Sequence, residues 1–536
     1  MLRERQLTRL HKILNFNDYN LDPQHFKWKI LIYDDSGFSI LSTYYDDKSL
    51  ISEGITFHSN IKYKRTKIED VSTIYFVDPT VENLELISKD ISDKIYDDII
   101  INFTSKVAKK DLDKFAQMVS KCNDGHVIRG IFDQQVDFKM AKDIFLEIFP
   151  ENSLNKNLFG FKANGDLFME SCKMIVKKLI SVFSTFGEIP YIVCNKSNIL
   201  NDKLKSMLVE KFRRIPKSII RNENRPVLFL FDRSTDLATP LLHTITYGAL
   251  LNDVYGVDEI ETIKFEGEKY KLDESLDKFY CSNQYLNLGD VMKNLDLYTK
   301  EINSEKIKNT SDIKFLLNMD KDEILKKQES ALLHLRLCKN VTSEAKNKRD
   351  LLKEEFHMFS RIAGDFKELK KILIQITDVK DRTRIILISY LFDTLTQKNI
   401  DELKTMDLGV NFNLLDQSEL KMLKVLNKTN ASFISKYENE HEYDFSNFYL
   451  LTKRVEKLIQ RQFSEFDIID PIGNETNPSI KNIIAFVVGS GCIMEVEGID
   501  RLNKKYQNKG IEITYGCTKM LRQNDFLDEF QGFTEN

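Results

Sequence analysis

The first 134 residues alternate between short apolar runs and amphipathic segments. Four apolar runs have the length of buried strands: 28–34, 72–78, 97–103 and 127–132. Two other segments, 81–91 and 110–120, place their apolar residues on one helical face and therefore predict helices. Strands that alternate with helices are typical of an open α/β domain with a largely parallel sheet.

Two further elements are predicted close to the N-terminus. Residues 1–20 have the spacing of an amphipathic helix, and its polar side carries Arg and Lys. Residues 35–37, Asp-Ser-Gly, predict a turn, and residues 38–42 then predict a short second strand. We therefore predict a first α/β domain that ends at residue 134.

Residues 227–231 are five consecutive apolar residues, the pattern of a strand that is covered on both faces. The run at 483–488 has the same character, and a last strand is predicted at 510–515. Two C-terminal strands are too few for a domain of their own. We therefore expect them to join the sheet that contains residues 227–231.

The rest of the chain has mainly helical periodicity. A short strand at 190–194 interrupts the helical pattern of residues 138–222. Residues 233–469 are rich in Lys, Glu and Leu, and strand patterns nearly vanish there. We therefore predict a discontinuous second α/β domain of residues 135–232 plus 470–536, with a large all-α insertion of residues 233–469 between its halves.

Within this insertion, residues 324–359 have a seam with alternating steps of four and three. The seam includes Leu335, Cys338 and Leu352. It predicts either two helices that meet at a hairpin near 339–350 or one helix that projects beyond the core. Its surface is either ordinary helical packing or a place where partner helices dock in register.

Composition and charge exclude several classes of protein. The chain has 82 acidic and 78 basic residues and a net charge of -4, so it lacks the excess of basic residues that is typical of nucleic-acid-binding proteins. Its seven Cys lack CxxC spacing and its eight His lack HExxH spacing, so we expect reduced thiols, no metal site and no cofactor. The N-terminus lacks a signal-peptide pattern, and no apolar window is long enough to span a membrane.

Two places could hold an enzymatic site. The first is the Gly489-Ser-Gly491 sequence after the strand at 483–488, which is either a tight strand-to-helix turn or a ligand loop. The second is the group Asp232, Arg233 and Asp236 at the end of the strand at 227–231. These three are either an acid–base constellation or, as we favour, a structural ion pair that joins the sheet to the helical insertion.

Residues 225–256 resemble the hallmark segment of the Sec/Munc (SM) family of SNARE regulators. The segment reads Asp-Arg-Ser-Thr-Asp-Leu-Ala-Thr-Pro-Leu-Leu-His-Thr-Ile-Thr-Tyr from residue 232. Other stretches are similar to the Sly branch, which serves transport between the endoplasmic reticulum and the Golgi. They lie at 28–34, 54–58, 74–80, 102–103, 132–134 and 513–517. The vacuolar or endosomal branch shares the hallmark and is the alternative, and a nucleotide-binding α/β enzyme is the alternative from a different class.

The resemblance implies a three-domain arch with two open, mostly parallel α/β domains and a helical insertion. It also implies no enzymatic activity and no cofactor. Family members bind the N-terminal peptide of a syntaxin, a Qa-SNARE, and hold SNARE helices on a hairpin that corresponds to residues 320–360 here. We therefore expect a monomeric cytoplasmic protein that associates peripherally with ER and Golgi membranes through SNAREs, without membrane insertion or nucleic-acid binding.

The resemblance also implies a peptide site on the helix and strand at 111–132. Leu112, Phe115 and Ala116 have i, i+3, i+4 spacing and share a helical face, and Ile128 would lie beside them on the next strand. Sly-branch syntaxin peptides offer an apolar anchor, usually Phe, and a basic residue. The four side chains are either the lining of a pocket for that anchor or ordinary core.

Overall fold

A computed structural model gives the architecture of the chain. It describes residues 2–18, 28–68, 71–122, 125–142, 144–148, 165–196, 199–215, 225–243, 246–256, 262–272, 277–310, 321–347, 355, 366–416, 420–421, 424, 449–473 and 478–532.

The first sheet has five parallel strands in the order β2-β1-β3-β4-β5. They are β1 (Lys29–Tyr33), β2 (Ile55–Asn60), β3 (Ser72–Val77), β4 (Asp98–Phe103) and β5 (Ile128–Asp133). The helices around them are α1 (Leu2–Leu14), α2 (Asp35–Leu41), α3 (Asp47–Ser52), α4 (Val81–Ser92) and α5 (Lys109–Lys121). Helices α1 to α3 pack on one face of the sheet, and α4 and α5 pack on the other.

The structure corrects the prediction at the end of β1. Residues 35–41 form α2, not a turn followed by a strand, because the Asp34 carboxylate caps the helix by accepting a hydrogen bond from the Gly37 N–H (2.8 Å). A Cβ at Gly37 would lie 2.2 Å from the Phe76 carbonyl oxygen, so the close approach of α2 to β3 requires glycine there.

The second sheet has seven strands in the order β12-β8-β9-β13-β14-β7-β6. They are β6 (Lys139–Lys142), β7 (Phe145–Glu147), β8 (Tyr191–Asn195), β9 (Val227–Asp232), β12 (Phe466–Ile469), β13 (Asn482–Gly491) and β14 (Glu512–Met520). Strand β13 pairs with β9 and β14 pairs with β13, so both C-terminal strands join the sheet of β9, as predicted. The edge strand β12 precedes the predicted domain boundary at 470, and β6 and β7 were not predicted.

Helices cover both faces of this second sheet. They are α6 (Asp166–Phe186), α7 (Ile199–Arg213), α15 (Leu450–Ile459) and α16 (Ile493–Tyr506). The C-terminal helix α17 (Gln523–Gly532) packs instead with helices of the insertion. Helices α6 and α7 pack on the face that contains Leu228 and Leu230, whereas α15 and α16 pack on the face that contains Phe229 and Phe231. Every side chain of the central run is therefore buried, which explains why β9 has no polar alternation.

The described residues between β9 and α15 are mainly helical. The helices described there are α8 (Tyr247–Tyr255), α9 (Lys278–Asn283), α10 (Leu288–Thr310), α11 (Lys321–Asn347), α12 (Phe366–Gln375), α13 (Val379–Leu391) and α14 (Gln397–Lys404). An antiparallel hairpin of β10 (Thr262–Phe265) and β11 (Glu268–Lys271) corrects the all-α prediction. Helix α11 is continuous to residue 347, so the predicted turn does not begin at 339. Within the described residues, no helix combines the length and apolar character that crossing a bilayer requires.

Candidate functional site

Arg233, directly after β9, is a buried junction between the second sheet and its helices. Its guanidinium forms an ion pair with the carboxylate of Glu495 in the first turn of α16, and neither side chain is exposed. It also donates to the carbonyl oxygens of Ser490 (2.8 Å) and Asp236 (2.9 Å). Burial raises the pKa of Glu495, and the Arg233 charge opposes that change. The junction therefore ties the ends of two strands to α16.

The two acidic residues near Arg233 have a different role from the predicted ion pair. The Asp232 carboxylate accepts a hydrogen bond from the Ser234 N–H (2.9 Å). The Asp236 carboxylate accepts from the Thr239 N–H (3.0 Å) and hydroxyl (2.6 Å). Both carboxylates therefore cap turns, and the carboxylate partner of Arg233 is Glu495, which the sequence did not reveal.

The glycine-rich sequence at 489–491 is part of β13, so the predicted strand-to-helix turn is wrong in detail. A Cβ at Gly491 would lie 2.5 Å from the Tyr515 hydroxyl and 2.7 Å from the Cys517 sulfur. Helices α7 and α16 lie on opposite faces, so β9 and β13 flank the point where open α/β sheets ordinarily hold a ligand. Here the Arg233 side chain fills that point.

A second buried ionic cluster lies in the hallmark segment, at His243. Its Nδ1 lies 2.6 Å from a Glu355 carboxylate oxygen, and its Nε2 lies 2.9 Å from an Asp381 oxygen. Each ring nitrogen therefore has a carboxylate partner. Arg384 adds a positive charge, 3.4 Å from Asp381. Residues from three distant parts of the sequence meet here, which no local pattern predicts.

The structure separates the four predicted peptide-site residues. Leu112 is 38% exposed, and Ala116 is also exposed. Phe115 is only 1% exposed and packs in the core of the first sheet, which corrects its assignment as a pocket residue. Ile128 is half-buried at the margin of the same core. The helix therefore presents Leu112 and Ala116 outward and uses Phe115 for its own packing.

Strand β5 adds a residue that the sequence analysis did not include. Ile131 is 42% exposed, and in the strand register it lies opposite Ile101 of β4. Ile101 and Phe115 belong to the same cluster, so Ile131 is on the face of the sheet that α5 covers. Because β5 is the last strand in the described sheet, the apolar surface of Leu112, Ala116, Ile128 and Ile131 borders a sheet edge. We call it the edge surface.

Helix α11 carries two of the three predicted docking residues, Leu335 and Cys338. Leu335 is exposed, whereas Cys338 is fully buried and packs with α8 and α10, which corrects its assignment as a docking residue. Leu352 lies outside the described residues. Leu325 and Leu332 are also exposed, and with Leu335 they have spacings of seven and three. This leucine stripe has the spacing that an interacting helix requires.

One group of side chains has metal-ligand spacing without the electrostatics of a metal site. Cys194, Asp202 and Asp467 come together at the edge of the second sheet. The Lys205 ammonium already bridges the two carboxylates, at 2.7 Å from Asp202. Burial raises the pKa of the Cys194 thiol to about 12, so it is protonated at neutral pH. The group is therefore a lysine-centred ion cluster.

Comparison with curated proteins identifies relatives along the whole chain. Protein sly1 of Schizosaccharomyces pombe is 32% identical over 320 residues, which cover 55% of this chain and 49% of that protein. Sec1 family domain-containing protein 1 of Rattus norvegicus is 25% identical over 628 aligned residues, which cover 98% of each chain. The SEC1 family transport protein SLY1 of Encephalitozoon cuniculi is 25% identical and covers 99% of each.

Solved structures share the fold. The crystal structure of Sly1p in complex with an N-terminal peptide of Sed5p matches 100% of this chain and 99% of that chain, with a TM-score of 0.83 and 20% identity. The SM protein Vps45 in complex with the Qa SNARE Tlg2 matches 100% of this chain and 98% of that one, with a TM-score of 0.78 and 17% identity. These similarities confirm the predicted α/β and helical arch. The Sec1 family model matches residues 29–529, and the chain therefore belongs to the Sec1 family, with Sly proteins among its relatives.

Proposed function

We propose that this protein is an SM-type SNARE chaperone of ER–Golgi transport, which binds a syntaxin and promotes assembly of the SNARE complex. The observation that carries the proposal is the family match over residues 29–529, together with relatives named for the Sly branch. The protein would act by binding and positioning its partners, without a chemical step or a cofactor. It would associate with ER and Golgi membranes peripherally, through the SNAREs.

The edge surface is our proposed site for the syntaxin N-terminal peptide. Leu112 and Ala116 are separated by one helical turn, and the small Ala116 leaves room for an inserted ring. Burial of one Phe side chain in such a surface contributes about 1.5–3 kcal/mol. Asp111 and Asp113 flank Leu112 in the chain and supply negative charge for the basic residue of the peptide.

The leucine stripe of α11 is our proposed docking surface for SNARE helices. Leu325 and Leu335 are ten residues apart, which is about 15 Å along a helix. A partner helix held along this length has already lost much of its conformational freedom. The next helix then pays a smaller entropic cost when the coiled coil nucleates. We retain the three predicted domains, with β12 assigned to the second one.

Calorimetric titration with a Golgi-type syntaxin N-terminal peptide tests the proposed function. We expect Leu112→Lys to weaken binding by about tenfold or more, because loss of the apolar contact removes at least 1.5 kcal/mol. Leu7→Lys in α1 is the matched control, because Leu7 is 40% exposed and Leu112 is 38% exposed. An endosomal syntaxin peptide is the control for branch specificity.

The two variants separate the possible results. Selective binding of the Golgi-type peptide that Leu112→Lys weakens and Leu7→Lys preserves supports both the site and the branch. Equal binding by wild type and Leu112→Lys refutes the edge surface as the peptide site. Binding of the endosomal peptide alone refutes the ER–Golgi assignment and favours the vacuolar or endosomal branch.

A further inference from the structure

The inner face of α11 contains a buried polar chain that the packing of an ordinary helix does not require. His334 is fully buried in α11, within an otherwise apolar cluster formed by α8 to α11 and the β10–β11 hairpin. Its Nε2 lies 2.7 Å from Asp277 Oδ2, and its Nδ1 lies 2.7 Å from the Tyr247 hydroxyl. The chain thus connects α11 to α8 and to the residue that precedes α9.

Asp277 is held in place from three directions. Besides His334, its carboxylate accepts hydrogen bonds from the Tyr280 N–H in the first turn of α9 (2.9 Å) and from the Ser330 hydroxyl of α11 (3.2 Å). Burial opposes ionisation of Asp277, but the hydrogen bonds and the His334 interaction outweigh it and lower its pKa. The ionised Asp277 carboxylate therefore contacts α11 at two positions one turn apart, Ser330 and His334.

Aromatic rings surround the imidazole. The Tyr280 ring is stacked on it with centroids 6.3 Å apart, and the Phe279 and Tyr247 centroids lie at 5.0 and 5.8 Å. Apolar contacts of this kind are not directional, so alone they permit a helix to rotate or slide to a neighbouring packing ridge. The imidazole has directional partners, and any such shift would leave buried polar groups unpaired.

The position of His334 fixes which residues of α11 face outward. At 100° per residue, Leu325 is about 180° and Leu332 about 200° from His334 around the helix axis. Both are therefore almost opposite the buried imidazole, and both are exposed. A rotation of α11 by one residue would move this stripe away from its present direction.

We infer that the chain Asp277–His334–Tyr247 is a register lock, in which His334 is a positioning residue that fixes the rotation of α11 and thereby aims the leucine stripe at its partner. The identity of the partner helix rests on the proposed function. The lock itself can be tested without a partner, because α11 contains its own reporter.

That reporter is Cys338, one turn after His334 on the same inner face. It is fully buried, and burial raises its thiol pKa to about 11, so it should resist alkylation in the locked state. Cys194 in the second sheet is an equally buried control whose pKa is also raised, to about 12. N-ethylmaleimide labelling under native conditions, mapped by mass spectrometry, measures both thiols in the same sample.

Two substitutions at one position separate a lock from simple packing. His334→Leu supplies an apolar side chain of suitable size but has no polar atoms, whereas His334→Gln retains a donor for Asp277 and an acceptor for Tyr247. We expect Cys338 to label about tenfold faster in His334→Leu, since lost pairing of one buried polar group corresponds to about that factor. His334→Gln should restore protection, with Cys194 protected in both variants.

The opposite ranking of Cys338 protection in the two variants overturns the inference. If Cys338 is as well protected in His334→Leu as in wild type, or better protected there than in His334→Gln, then apolar packing alone positions α11. If Cys194 and Cys338 become reactive together in both variants, the chain maintains overall folding and does not set the register. Unfolding of His334→Leu alone, with His334→Gln folded and protected, supports the lock.

A partner assay on the same variants links the lock to function. We expect His334→Leu to slow SNARE assembly but to leave binding of the syntaxin N-terminal peptide unchanged. The edge surface belongs to the first sheet, whereas His334 lies in the helical insertion. Deprotection of Cys338 with unchanged SNARE assembly would uphold the lock and refute the docking role proposed for α11.

Discussion

Removal of one partner from the Arg233–Glu495 pair should strongly destabilise the second α/β domain. We choose Glu495→Gln because the amide retains the shape of the side chain while it removes the charge. The guanidinium would then be a fully buried charge that has lost its carboxylate partner and faces only neutral acceptors: the carbonyl oxygens of Ser490 and Asp236 and the new amide oxygen. Breaking a buried ion pair in this way costs about 3–5 kcal/mol.

Differential scanning calorimetry and hydrogen exchange of β13 together measure this effect. For a domain of about 150–250 residues, 3 kcal/mol lowers the melting temperature by roughly 6–12 °C. Hydrogen exchange assigns the loss to the second sheet, which matters because a protein with several domains need not unfold in one step. Asp296→Asn is the control, because it breaks the exposed Lys300–Asp296 pair and should leave the transition unchanged.

A double-mutant cycle measures whether Arg233 and Glu495 are energetically coupled. Arg233→Met alone should also destabilise, because it leaves the Glu495 carboxylate buried without a countercharge. The double variant Arg233→Met/Glu495→Gln should be at least 2 kcal/mol more stable than the sum of the two losses predicts, if the two groups are coupled as their contact indicates. Additive losses, or a Glu495→Gln variant that melts with wild type, would refute the ion pair as the junction.

Two further predictions concern pH and docking. Burial raises the pKa of Asp34 from 3.8 to about 6. Protonation of Asp34 therefore adds about 3 kcal/mol to the free energy of unfolding below pH 3.8, and this contribution is lost as the pH rises through 6. Asp34→Asn should remove this slope from the melting temperature of the first domain between pH 4 and 6, and an unchanged slope would exclude Asp34 as its source. Leu335→Lys should slow SNARE assembly in a reconstituted fusion assay without affecting peptide binding, whereas the equally charged Ile374→Lys in α12 should not, and equal effects of the two would exclude the stripe.

Burial on both faces explains which strands were predictable. The run at 227–231 and the run at 483–488 contain only apolar residues because helices cover both sides, so each is visible without knowledge of its partners. The edge strand β2 lacks this signal. Strand β2 contains exposed Thr56 and Phe57 and ends in polar residues, so its sequence does not differ from that of a loop.

The β10–β11 hairpin had a signal that the helical background concealed. Glu266 and Gly267 lie between two alternating segments and have φ values of 51° and 88°. Left-handed backbone at two consecutive residues is the geometry of a type I′ turn, and a two-residue turn that ends in glycine is its usual sequence. The Lys- and Glu-rich composition of the surrounding region favoured helix in the prediction.

At the candidate sites, the sequence predicted which residues share a helical face but not which of them are buried. Periodicity places Leu112 and Phe115 on neighbouring parts of one helical face, but only the packing of α5 against β4 shows that Phe115 is core and Leu112 is surface. The partner of Arg233 was beyond local analysis, because Glu495 is 262 residues away in the sequence. Contacts at that separation require the fold.

Both sheets have filled the crevice at which open α/β folds ordinarily bind ligands. In the first sheet the Asp34 carboxylate, at the end of β1, accepts hydrogen bonds from the Asp78 N–H (2.9 Å) and the Asn83 amide (2.7 Å) at the end of β3. In the second sheet Arg233 and Glu495 occupy the equivalent point between β9 and β13. Buried polar groups that pair with one another in this way fill each crevice and hold the adjoining strand ends together. We therefore propose that the sheets serve as scaffolds and that recognition takes place outside these crevices, where α5 presents Leu112 beside the last described strand of the first sheet and α11 presents its leucine stripe.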